Sequence, residues 1–223
     1  MISKRLLEIS KYIENGSVVA DIGCDHALLS IFLVEEGICN HVIASDINEG
    51  PINNAKRNIS YKSLSKAVDA RLGAGLQTLE VGEADTCVIS GMGGSLIVDI
   101  CKQSLDIFLG FERIICQANN SEHQLRAFMV SNGYLIKNES VVNDNDIIYE
   151  VICFDKGQKE YTETEIKYGP FLLKCKDPLF LKKLTNKRDK LVNILNQIPK
   201  SNQERVSHFE SEISELNTLI KVG

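Results

Sequence analysis

The sequence predicts an α/β chain: a mostly parallel seven-stranded sheet with a closing antiparallel strand, followed by a helical hairpin. Three observations carry this. Through the first 155 residues, short β-branched apolar runs alternate with helical patterns, as in repeated βαβ units. Two strand ends run into glycine-rich turns, Gly73-Ala74-Gly75 and Ser90-Gly91-Met92-Gly93-Gly94. After Tyr168-Gly169-Pro170 the periodicity changes, and apolar residues repeat at seven.

The chain opens on Ile2, Leu6, Leu7, Ile9 and Ile13, spaced as an amphipathic helix over residues 1–14 and stopped by Asn15-Gly16. Arg5 lies on this helix, where it can reach a ligand mouth. Val18, Val19, Ala20 and Ile22 form a buried strand that Gly23 ends. Asp25 stands where the N-cap of a helix through Ala27, Leu28, Ile31 and Phe32 is expected.

That turn discriminates between cofactors. A dinucleotide fingerprint needs three glycines, to let the backbone approach a pyrophosphate. Gly23-Cys24-Asp25-His26-Ala27-Leu28 supplies one, and Asp21 and Asp25 place carboxylates where phosphates would sit. Helix N-termini attract phosphate, and these two charges oppose it. They suit a cationic, phosphate-free nucleoside such as S-adenosylmethionine. The plain alternative is an α/β turn with a capping Asp.

Val42 to Ala44 form the second strand, ending at Asp46 with Ile47 beside it. An acidic side chain 23 residues after Gly23 suits ribose hydroxyls, which NAD and S-adenosylmethionine share. Pro51 opens the next helix, and Val68 to Leu72 form a third strand. Thr86 to Ile89 form a fourth, whose Gly91, Gly93 and Gly94 clear side chains from a place where a flat ligand can enter. Met92 offers it a soft apolar face. Ile114 to Cys116 form a fifth strand, and the amides of Gln117, Asn119 and Asn120 can bond a base edge. A helix over Ser121–Val130 precedes two antiparallel strands, Tyr134–Val142 and Ile147–Phe154, around Asn143-Asp144-Asn145-Asp146.

In the tail, Leu184, Leu191 and Ile198 repeat at seven, then Val206, Ile213 and Ile220 after a polar break at Pro199–Gln203. This reads as an antiparallel helical hairpin. Residues 156–223 carry 13 basic and 9 acidic side chains, against 12 and 21 over residues 1–155. An acidic body with a basic arm suggests a polyanion held at the arm, with a solvated lysine-rich face as the alternative. Lys182, Lys183, Lys187 and Arg188 lie on the first helix of that arm. A monomer is expected, with dimerisation through these helices as the other reading of the heptads.

The seven cysteines are single, and no CxxC pair or cysteine–histidine group suggests a metal. Together with the lack of a signal peptide, such free thiols indicate a cytoplasmic protein. No apolar stretch approaches a membrane span.

The chain resembles the bacterial tRNA (adenine-22-N1)-methyltransferase family, of the S-adenosylmethionine-dependent class I type. The matching pieces are Arg5-Leu6, Ala20-Asp21-Ile22-Gly23-Cys24-Asp25-His26-Ala27 and Arg71-Leu72-Gly73-Ala74-Gly75-Leu76. Ser90-Gly91-Met92-Gly93-Gly94, Gln117-Ala118-Asn119, Leu125-Arg126 and Tyr149-Glu150 follow in family order. The resemblance implies a Rossmann-like methyltransferase domain over 1–155 and a basic tRNA-binding hairpin over 156–223. It implies methyl transfer from S-adenosylmethionine to N1 of adenine 22. A methyltransferase acting on a small molecule or protein, or a non-catalytic RNA-binding module, are the alternative readings. The cofactor set is then Arg5, Asp21, Gly23, Asp46, Ile47, Gly73, Ala74, Gly75 and Ser90. The substrate set is His26, Gly91, Met92, Gly93 and Asn119, with Lys182, Lys183, Lys187 and Arg188 for the tRNA. Asp25 and Asn119 are the candidates closest to the chemistry. Two positions depart from the family pattern: Cys24 replaces its usual Ser, and Ala74 its usual Asp, which leaves an adenine contact to backbone.

Overall fold

The computed structural model describes residues 2–199 and 202–221. These form two compact units, Met1–Pro170 and Phe171–Gly223.

The first unit begins with α1 (Lys4–Ser10), capped by Ser3, whose Oγ accepts from the Leu6 N–H at 3.3 Å. The helix is shorter than the apolar spacing predicts, because it closes in turns from Lys11 onward. Then follow β1 (Val18–Ile22), α2 (Leu28–Glu35), β2 (His41–Asp46), α3 (Glu49–Tyr61) and β3 (Val68–Leu72). Next come β4 (Thr86–Met92), α4 (Gly94–Gln103), α5 (Leu105–Phe108), β5 (Arg113–Ala118) and α6 (Glu122–Ser131). Strands β6 (Tyr134–Asp144) and β7 (Ile147–Lys156) close the sheet, and α7 (Glu163–Tyr168) follows them.

The sheet runs β3-β2-β1-β4-β5-β7-β6, with β7 antiparallel to both neighbours. Strand order reverses between β1 and β4, and ligands of open α/β sheets bind at the carboxyl ends beside such a switch. The β6–β7 turn places Asn145 and Asp146 at φ of 51° and 63°, the two left-handed residues of a tight hairpin. Ile9 and Ile13 join Leu29 and Leu33 of α2 over Val19, Val42, Val88 and Ile115 of the sheet. This apolar packing anchors α1, and with it Arg5, to the body.

The sequence places Asp25 as a helix N-cap; the structure gives that position to Ala27, at φ 56° with no side-chain cap. Asp25 is itself left-handed, φ 51°, and its N–H is directed at Asp46 Oδ2, 3.3 Å away. The turn is therefore held by the end of β2 and not by a local cap.

The compact first unit also reaches past the domain break expected at residue 155. The Tyr161 hydroxyl accepts from the Ile136 N–H at 2.8 Å and ties residues beyond β7 to β6. Thr162 and Glu165 form a reciprocal capping box at the start of α7, whose Tyr168 is buried.

From Phe171 the second unit comprises the rest of α8 (Pro170–Cys175), then α9 (Pro178–Leu195), capped by Asp177, and α10 (Gln203–Lys221), which packs against α9. Of the polar break expected at 199–203, residues 200 and 201 lie outside the described residues. All seven cysteines are unpaired, and six are buried. Among the described residues no helix is long and apolar enough to cross a membrane, and no group of acidic, His and Cys side chains forms a metal site.

Candidate functional site

The loops after β1, β2, β3, β4 and β5 all leave the carboxyl edge of the sheet. Backbone bonds tie them to one another. The N–H groups of Gly23 and Cys24 both donate to Ser45 O, at 2.8 and 2.9 Å, and Gly73 N–H donates to Asp46 O at 3.0 Å. Asn119 N–H donates to Met92 O at 2.8 Å, and Gly94 N–H to Asn120 O at 3.0 Å. Asp21, Gly23, Asp46, Ile47, Gly73, Ala74, Gly75, Ser90, Gly91, Met92, Gly93 and Asn119 thus lie on or beside strand ends along one edge. Ile47 is largely exposed there.

Gly23 has φ of 73°, and a Cβ on it would collide with Met92 Cε. Without that side chain, the β1 turn and the β4 loop come together.

The floor is acidic. Asp21 is buried and accepts a hydrogen bond from Ser30 Oγ at 2.6 Å. Burial pushes its carboxyl from the ordinary 3.8 up to about 6; the Ser30 bonds and the Arg5 charge pull the other way, and Asp46 adds to the rise. Asp46 accepts from the Asn48 N–H at 2.9 Å and stays partly open. Asp25 and His26 follow in the turn, Oδ1 to Nε2 3.5 Å, with side chains 69% and 45% exposed. His26 is steadied through its carbonyl, which accepts from Asn58 Nδ2 at 3.0 Å.

The roof of the site is a ring of amides. Arg5 Nη1 donates to Gln117 Oε1 at 2.5 Å, and Gly91 N–H donates to the same oxygen at 3.0 Å. Gln117 Nε2 donates to Asn119 Oδ1 at 3.0 Å, and Asn119 Nδ2 to Gly91 O at 2.8 Å. Gly91, at φ 80°, has both backbone groups engaged. The Arg5 guanidinium also lies over the Tyr149 ring, 5.6 Å from its centroid. So the structure brings Arg5 to the amide ring, with its charge still felt at Asp21.

The sequence reading leaves Ser30 unnamed, and it names Tyr149 and Gln117 without the roles the structure gives them. Ser30 is an unremarked helix serine until the fold sets it on Asp21. Tyr149 reaches Arg5 only because β7 returns beside the site. Gln117 reads as one of several amides; its place on a parallel strand two residues before Asn119 was the available signal.

In the second unit the basic residues differ in availability. Lys182 and Lys190 are exposed on α9, whereas Lys187 bonds Glu212 of α10 at 2.8 Å and Arg188 bonds Asp189 at 2.6 Å. Lys183 is half-buried.

The arrangement can hold a nucleoside by its hydroxyls and a cationic group by its acidic floor. The donor set fits S-adenosylmethionine: two carboxylates and bare glycine backbone, with the Arg5 cation turned to Gln117 and Tyr149.

Comparison with known proteins adds to this. The model of a family described as TrmK, tRNA (adenine(22)-N(1))-methyltransferase, matches residues 19–218. The chain is 33% identical to the tRNA (adenine(22)-N(1))-methyltransferase of Bacillus subtilis (strain 168), covering 100% of this chain and 98% of that one. The crystal structure of Streptococcus pneumoniae Sp1610 in complex with S-adenosyl-L-methionine superposes with a TM-score of 0.92 at 32% identity, over 99% of this chain and 100% of that one. M. capricolum TrmK in complex with S-adenosyl-homocysteine gives a TM-score of 0.89 at 32% identity, over 100% and 99% of the two chains.

Proposed function

This chain belongs to the tRNA (adenine(22)-N(1))-methyltransferase family, and from that premise we propose that it transfers a methyl group from S-adenosylmethionine to N1 of adenine 22 in tRNA. The observation that carries the reading is the acidic, glycine-lined edge at the β1–β4 switch, where buried Asp21 and half-open Asp46 lie together. The relatives that hold S-adenosylmethionine or its product share this fold over nearly their whole length.

When bound, the donor supplies an electrophilic methyl group on a sulfonium. The chain's own work is alignment and exclusion of water. Asp46, with Ile47 beside it, takes the ribose end of the donor. Gly73, Ala74 and Gly75 offer backbone to its adenine, and Gly23 and Ser90 border its middle. Asp21 sets the charge of the floor that receives the cationic part. Adenine N1 carries its own lone pair, so no strong base is required of the protein. N1 lies on the pairing edge, so the target base enters unstacked and unpaired. His26, Gly91, Met92, Gly93 and Asn119 line the slot it enters. Methylation at N1 leaves the ring positively charged, and Asp25 stands at the mouth as a counter-charge.

The helical arm positions the tRNA through phosphates, a contact that fixes orientation without reading sequence. Lys182 and Lys190 are its open cations, with Lys183, Lys187 and Arg188 in support. We assign the hairpin to one chain acting as a monomer in the cytoplasm, where tRNA is found. A tRNA transcript with adenine 22 changed to guanine tests the assignment: methyl acceptance falls to background if it is right, and undiminished acceptance overturns it.

A further inference from the structure

We propose that Gln117 is a positioning residue that fixes the Asn119 amide in the orientation that selects adenine. The proposal rests on the methyltransferase reading above and deepens it. Its basis is the direction of each hydrogen bond in the ring. An arginine guanidinium and a backbone N–H can only donate. Both meet one side-chain atom of Gln117, at 2.5 and 3.0 Å, so that atom is the amide oxygen. The Gln117 NH2 must then face Asn119, 3.0 Å away, so Asn119 turns its oxygen toward Gln117. The Asn119 NH2 is left for the Gly91 carbonyl at 2.8 Å. Gln117 is fully buried, so its amide has no solvent to turn toward in place of these partners.

Asn119 itself is exposed at the strand end. After its two ring bonds it keeps one N–H and one oxygen lone pair. That pair matches adenine at N7 and the 6-amino group, the bidentate contact asparagine makes with this base. Reading that edge leaves N1 free, as a reaction at N1 requires. Guanine would present its O6 to the Asn119 oxygen, acceptor against acceptor. Without the lock, the amide can rotate by half a turn and favour the wrong base. Selection of adenine is thus set one layer below the base, by Arg5 and the Gly91 backbone acting through Gln117.

The test compares kcat/KM on two transcripts, one with adenosine and one with 7-deazaadenosine at the methylated position. Wild-type enzyme is expected to prefer adenosine by roughly 2- to 13-fold, the worth of the one hydrogen bond that N7 accepts. Gln117→Glu still accepts from Arg5 and Gly91 but has no hydrogen for Asn119, and its preference is expected to fall to near one. Arg5→Met, on half-buried α1, removes one of the two donors that fix the Gln117 oxygen and leaves the Gly91 N–H; its preference is expected to fall between the wild-type ratio and one, a second reading should Gln117→Glu fail to fold. A wild-type ratio near one, or a full wild-type ratio retained in a folded variant, overturns the proposal. Loss of folding alone lowers both rates and leaves the ratio unchanged. Absence of methyl transfer to the adenosine transcript by wild-type enzyme contradicts the methyltransferase reading, a distinct result.

Discussion

Ser30 Oγ lies 2.6 Å from Asp21 Oδ2, and this hydroxyl is the side-chain hydrogen-bond partner of a carboxylate buried at the centre of the sheet's carboxyl edge. The pair sets a pH dependence. Burial raises the Asp21 carboxyl from 3.8 to about 6, so its ionisation costs the folded protein on the order of 3 kcal/mol. Because the folded value is the higher one, this group's contribution to stability is intact below pH 4. It is lost as pH rises through about 6. A cation bound beside Asp21 favours the ionised form. Affinity for S-adenosylmethionine should therefore rise about tenfold between pH 5 and pH 7, as the fraction ionised does. Calorimetry across that range checks it. Asp21→Asn should bind more weakly at pH 7 and flatten the profile; an unchanged slope in the variant contradicts the assignment.

Gly94 opens α4 against the loop after β5, and a Cβ there would stand 2.6 Å from Ser121 O and 2.8 Å from Asn120 O. Both are backbone atoms and cannot swing aside. Gly94→Ala should cost about 1–3 kcal/mol of stability. Gly50, in α3, has open space around it, and Gly50→Ala should be neutral or stabilising by up to about 1 kcal/mol. Urea unfolding of the two variants should separate them in sign.

Arg126 is fully buried between Glu139, at 2.7 Å, and Glu150, at 2.5 Å. Removing the cation takes the Arg126 charge away from two buried carboxylates. Arg126→Leu should cost roughly 3–5 kcal/mol, a large share of a domain's 5–15. If the variant unfolds at the wild-type urea midpoint, the cluster contributes far less than its burial implies.

Much of this site was legible in the sequence because it depends on local chemistry. Gly23, Asp46 and the Asn145-Asp146 turn each stand where backbone conformation or strand length dictates their type. The ion cluster was not: Arg126, Glu139 and Glu150 come from three elements, and only the β6–β7 return brings them together. The β1 turn misled for a related reason. Asp25 has the side chain of a cap, but a bond to Asp46 from the next strand takes its backbone out of that role. The Thr162–Glu165 capping box went unread, although its spacing is the signal for one; it starts α7 beside the Tyr161 bond to Ile136, within the unit that runs on to Pro170.

The basic arm should show itself in salt dependence. Replacing exposed Lys182 or Lys190 by Gln should weaken tRNA binding for every sequence and reduce the slope of log K against log salt by about one each. Lys187→Gln also breaks the Glu212 bridge, so it should lower the stability of the hairpin as well. Binding measured from low to moderate salt distinguishes these; unchanged slopes in both exposed-lysine variants would place the tRNA elsewhere.

The most direct measurement is mass-spectrometric mapping of one unmodified tRNA transcript after incubation with purified protein and S-adenosylmethionine. The account predicts a single added methyl, at N1 of adenine 22. A methyl on another nucleotide or on the 6-amino nitrogen, or no transfer from protein that has bound the donor, contradicts it.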